Sequence, residues 1–164
     1  MTPLRQFTIT ETVIDGFAIE LIEFDIEDHQ FMMVFTKLSE QYDITTLKEL
    51  EQSLGFSIPE KSYNIKFDRL ENFESGNFYA PPSSEFSPFN LKKLNYLGFI
   101  IYKLIELHAN EKDAQLYFAS AENSKLKSFY NRVVNKYANS LDCEVISDLP
   151  LDEGLDYAIK TSKY

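Results

Sequence analysis

From Thr8 to Phe35 apolar and polar residues alternate, and the alternation breaks at Asp15-Gly16, a dipeptide suited to the positive φ angles of a tight hairpin turn. FTITETVI and GFAIELIEF therefore read as two strands of a hairpin. FMMVF, beyond the turn EDHQ, reads as a third strand, and the three predict an antiparallel meander. In the second strand Phe17, Ile19, Leu21 and Glu23 share one face, with Ala18, Glu20, Ile22 and Phe24 on the other. Both faces are mixed, as in a strand covered on both sides or lying near a sheet edge.

The period then lengthens. ITTLKELEQSL lines up Ile44, Leu47, Leu50 and Leu54 and predicts a helix, with Thr45 or Thr46 as N-cap and Gly55 as the left-handed C-terminal residue. YNIKFDRL returns to period two. The stretch NFESGNFYAPPSSEFSPFN holds three of the six prolines and predicts a turn, a short strand at 77–80 and a surface loop. A long helix follows from about Asn90 to His108, with Leu91, Leu94, Leu97, Gly98, Ile101, Leu104, Ile105 and His108 along one broad face. AQLYFAS predicts a buried strand, Asn123-Ser124 a cap for a helix over Lys125 to Tyr137, and CEVIS and LDYAIK two closing strands.

This order predicts an α+β (mixed α/β) fold with a single central, mostly antiparallel sheet and about three helices. At 164 residues the chain reads as one domain, residues 1–164, with any seam in the Pro/Ser loop at 80–90. The charge balance changes at that loop. Residues 1–90 carry 6 Lys+Arg against 16 Asp+Glu, residues 91–164 carry 10 of each, and the net charge of −10 thus lies in the first half. Such a field repels phosphate backbones and anionic lipid and favours encounter with a basic partner. The single Cys143 excludes an intramolecular disulfide, and MTPLRQFTITE lacks the apolar run of a secretory signal, so the expected setting is the reducing cytoplasm. LGFIIYKLI is far shorter than the roughly 20 residues that cross a bilayer.

The segment from Asn95 to Tyr130 resembles the acetyl-CoA-binding half of the GNAT acetyltransferase superfamily, and the likeness extends over about 70 residues, from Asn90 to Lys160. N-Y-L-G-F-I occupies the place of the family's Gln/Arg-x-x-Gly-x-Gly/Ala helix turn, and N-S-K-L-K-S-F-Y that of its Asn-x-x-Ala-x-x-Phe/Leu-Tyr pattern. The resemblance implies that amides around Gly98 hold pyrophosphate, that Asn123 binds the cofactor's arm, and that Tyr130 protonates the departing thiolate. The chain departs from the pattern at Asn95, at Ile100 in the second glycine position, and at Val134-Asn135, where the family often has Gly-Phe. Its first half also places a meander before the first helix, the reverse of the usual family order.

FDIEDH gathers Asp25, Glu27, Asp28 and His29 as oxygen and imidazole groups for a divalent ion or, more simply, as a solvated turn. His108 ends the long helix, where an imidazolium complements the dipole, and Cys143 reads as a small buried hydrophobe. Phe73, Phe78, Tyr79, Phe86 and Phe89 cluster around the proline loop. Aromatics beside an acidic surface suit protein binding. The function expected from these features is an acidic binding module, an inhibitor or regulator of a basic and conceivably nucleic-acid-binding partner, using no cofactor. Its expected contacts are Glu23, Asp25, Glu27, Asp28, Phe78, Tyr79 and Phe86. The alternative is an acetyl-CoA-dependent N-acetyltransferase built on Gly98, Asn123 and Tyr130.

Overall fold

A computed structural model describes residues 7–78, 80–81, 89–121, 124–140, 142–149 and 157–164. The predicted meander forms as β1 (Thr10–Ile14), β2 (Phe17–Ile26) and β3 (His29–Lys37). Asp15 and Gly16 both take positive φ, 51° and 82°, which matches the hairpin turn to the twist of its strands. A single-turn helix α1 (Leu38–Gln41) leads into α2 (Ile44–Leu54). The N-cap of α2 is Asp43, whose Oδ1 accepts from the Thr46 amide at 2.7 Å. Thr45 and Thr46 already lie inside the helix, so neither hydroxyl can take the capping position expected of it. Gly55 closes α2 in the left-handed conformation, φ 79°.

β4 (Ser62–Arg69) runs directly into α3 (Leu70–Ser75), where the sequence pattern suggested only a turn. Asn72 is what the pattern missed. Its buried amide donates to Asp68 Oδ1 at 2.8 Å and to the Ala80 carbonyl at 3.0 Å, and Gly76 at φ 78° ends the turn. The strand expected at 77–80 does not form among the described residues. Asn90 caps α4 (Leu91–Lys112) through its own side chain, which accepts from the Lys93 amide at 2.9 Å. β5 (Leu116–Ala119), α5 (Ser124–Tyr137), β6 (Glu144–Ser147) and β7 (Tyr157–Lys160) complete the chain. Three long helices match the expectation, and two short ones join them.

The seven strands form one sheet in the order β1-β2-β3-β4-β5-β7-β6, antiparallel throughout except for β4 and β5. Strands on either side of the 80–90 loop are thus neighbours. The parallel pairing covers only Ser62–Ile65 against Leu116–Ala119, after which β4 runs on to Arg69 against β3 alone. One face buries Ile22, Phe24, Met33, Phe35 and Phe67 under α4 and α5. The other buries Leu38, Leu116 and Phe118 beside the α2 side chains Leu47 and Leu54, and Ile19, Met32 and Val34 beside Leu70 and Phe73 of α3. Cover on both faces explains why FMMVF is continuously apolar. Among the described residues no helix is long and apolar enough to cross a membrane.

Candidate functional site

β1 pairs with β2 only as far as Thr10 opposite Leu21, so the last five residues of β2 have β3 on one side and no strand on the other among the described residues. A groove of about 1140 Å³ opens there. Phe24, Ile26 and Ile100 belong to its apolar lining, Glu23 and Asp25 of β2 and Glu27 just beyond it supply carboxylates, and Lys92, Lys93 and Tyr96 enter from the first turns of α4. Glu23 and Asp25 share the side of β2 with Leu21, away from α4. Lys93 Nζ lies 2.7 Å from Glu27 Oε2 and ties the helix start to the strand end. Chemically the groove offers main-chain groups of a strand edge beside carboxylates, a combination suited to an extended basic segment. Nothing in the order of residues along the chain links Lys92, Lys93 and Tyr96 to the end of β2.

The acidic run beyond β2 divides. Asp28 leaves the groove and approaches His29, with Oδ1 3.6 Å from Nε2. The His29 ring is buried, and its Nδ1 accepts from Arg69 Nη1 at 2.6 Å, which puts the ring proton on Nε2, facing Asp28. Arg69 in turn lies over Phe31 and Phe89, at 5.3 Å and 5.7 Å from their ring centres. Among the described residues no three His, Cys, Asp or Glu side chains gather as a metal site. Phe78 does not line the groove. It is 44% exposed, under Lys66 Nζ at 3.3 Å and edge-on to Phe73 at 5.6 Å. Tyr79 and Phe86 lie outside the described residues, as does Asn123.

Gly98 lies eight residues past the N-cap of α4, inside the helix, and so does not sit at the helix start that a pyrophosphate cradle requires. Its role is close approach: a Cβ there would stand 3.0 Å from Val133 Cγ2 of α5. Tyr130 is half-buried at the core edge, perpendicular to Tyr157 at 6.2 Å, and is not part of the lining of the β2 groove. The thiol of Cys143 donates to the Ala138 carbonyl at 3.6 Å. Burial, and then Asp142, push its pKa up, the wrong direction for a nucleophile.

The other concentration of polar chemistry is inside the core. His108 is fully buried, stacked on Phe35 at 3.8 Å, and its Nδ1 shares a hydrogen bond with Tyr117 Oη at 2.7 Å. Its Nε2 lies 3.3 Å from Glu20 Oε2, though outside hydrogen-bond geometry. Lys112 Nζ reaches the same Glu20 oxygen at 3.3 Å and Glu11 Oε1 at 2.6 Å. Burial, then Lys112, push the His108 pKa down to about 3. Glu20 pulls the other way, but its charge is shared with Lys112 while the ring has lost all its water. His108 is thus a neutral member of the core rather than an imidazolium at a helix end. Burial, then the Glu20 charge, push Tyr63 up to about 12, and Tyr117 is raised further. No acid–base work on a solute is open to this covered cluster. Its signal in the sequence was Glu20, a carboxylate in the apolar stripe of Ile22 and Phe24.

Comparison of the chain with protein-family models, with curated proteins and with solved structures found no match.

Proposed function

We propose that the protein is an acidic binding module of the cytoplasm, an inhibitor or regulator that takes a basic, extended segment of another protein into the groove at the end of β2. One observation carries the reading. Glu23, Asp25 and Glu27, separated by single apolar residues in sequence, line the same large groove beyond the last β1–β2 pair, Thr10 and Leu21. A charge of −10, concentrated in the half of the chain that builds this wall, steers a basic partner toward it. The same field opposes direct binding of nucleic acid or anionic membrane, and the expected partner needs no cofactor.

The scaffold is read as acetyltransferase-like. The succession of α4, β5 and α5, with β5 beside β4, agrees with the helix–strand–helix order of that resemblance and supports a second function, acetyl-CoA-dependent N-acetyl transfer. Gly98, inside α4 and packed against Val133, counts against the second function.

Thermal melting with excess acetyl-CoA separates the two. The binding-module reading predicts an unchanged midpoint. A ligand at 100 times its dissociation constant adds about 2.7 kcal/mol, or roughly 5–10 °C for a chain of this size, and a rise of that order would favour the transferase.

A further inference from the structure

The sheet ends at β1 on one side and β6 on the other, and the two edges differ in how they are protected. β6 has four residues, starts with Glu144, and lies between Asp142 and Asp148, which turn the chain at φ 50° and 54°. Short length and flanking charge are ordinary protections against edge-to-edge pairing. β1 is also short, at five residues, and is followed by Asp15, but it carries far more exposed apolar surface. All five of its residues are exposed, four of them are β-branched, and Pro, Lys and Gly are absent. Its one charge, Glu11, is already matched by Lys112 at 2.6 Å. Val13 is 67% exposed, Ile14 43% and Phe17 42%, so the hairpin presents apolar side chains as well as a backbone edge with no second strand among the described residues.

We infer that β1 pairs antiparallel with β1 of a second copy, giving a twofold dimer with one continuous sheet. Charge selects the register. Centring on Glu11 sets it against its own copy, and centring on Val13 sets Glu11 against Asp15 of the other chain, both like-charge pairs that weaken a sheet. Centring on Thr12 avoids both. Thr12 then faces Thr12, Glu11 faces Val13, and Thr10 faces Ile14 of the second copy. Through the existing Thr10–Leu21 and Ile14–Phe17 pairs, a row Leu21, Thr10, Ile14, Phe17 crosses the junction on the face away from α4. The contact is isologous and closes at two copies, since the β6 edges stay guarded. Thr10 and Thr12 also line the groove, so two grooves flank the axis. The inference stands independently of what the groove binds.

Sedimentation equilibrium over a concentration series tests it. The expected mass rises from 19.1 kDa toward twice that value, more readily at high salt, which screens the repulsion between two acidic chains. Val13→Glu, placed opposite Glu11, keeps the fold and returns the monomer. In a Cys143→Ser background, Thr12→Cys forms a reducible cross-linked dimer on mild oxidation. Thr10→Cys does not, because in this register its two copies lie four residues apart, about 13 Å. A constant monomer mass, growth beyond the dimer, or equal cross-linking at positions 10 and 12 would overturn the proposal.

Discussion

Lowering the pH from about 6.5 to about 4.5 is expected to destabilise the fold by about 2 kcal/mol through His108 alone. In the unfolded chain this imidazole takes up a proton near pH 6.5, whereas in the folded protein burial, then Lys112, hold it neutral down to about pH 3. Between these values the unfolded state binds more protons, so stability is complete above pH 6.5 and declines at about 1.4 kcal/mol per unit as the pH falls. The window ends near 4.5 because Glu11 and Asp113, whose pKa values are lowered by Lys112 and Lys163, contribute their own losses below it. Urea unfolding at several pH values measures the slope. His108→Gln, which can still share a hydrogen bond with Tyr117, is expected to flatten it in this window. A wild-type stability that is level from pH 6.5 to 4.5 would contradict the neutral, buried assignment.

Phe35→Ala is expected to cost about 3–5 kcal/mol, the range for emptying a fully buried aromatic site. Phe35 sits on the central strand β3 with no exposed surface, in contact with His108 and near Tyr117. For a chain of this length the loss corresponds to a melting temperature roughly 10 °C lower. A second readout separates this ring from any other core residue: its removal uncovers one side of His108, so the pKa of His108 rises and the acid-dependent slope becomes shallower. Phe35→Leu, with a smaller expected loss, gives the same sign should the alanine variant fail to fold. A variant with unchanged melting, or with its acid slope intact, would show that the stack does not hold His108 neutral.

Much of this architecture was legible in the pattern of apolar positions. The meander, the helix at 44–54 and the long α4 follow from residue periods of two and near 3.6, because each element buries one or both faces against the sheet. Elements set by tertiary hydrogen bonds were not legible. α3 depends on the contacts of Asn72 with Asp68 and with a carbonyl eight residues away, which no periodicity encodes. The site was legible in halves. Glu23 was legible on the second strand and Asp25 and Glu27 in the FDIEDH run, but the α4 residues that complete the groove come from about 65 residues later in the chain. Gly98 shows the limit of a motif read in one dimension: the residue type fits a phosphate turn, while its position two turns into α4, against Val133, fits only close packing of helices.

The central claim is that the β2 groove, rather than net charge alone, takes the basic segment. Its most direct measurement is an amide-resolved NMR titration with a short extended peptide of alternating Lys and Val. The wild-type protein is predicted to shift amides from Glu23 to Gln30 and from Lys92 to Tyr96. The double variant Glu23→Lys/Asp25→Lys is predicted to lose these shifts, while Glu49→Lys/Glu144→Lys, with the same change in net charge at two other exposed sites, retains them. Equal loss in both variants, or shifts spread over the whole acidic surface, would contradict the account.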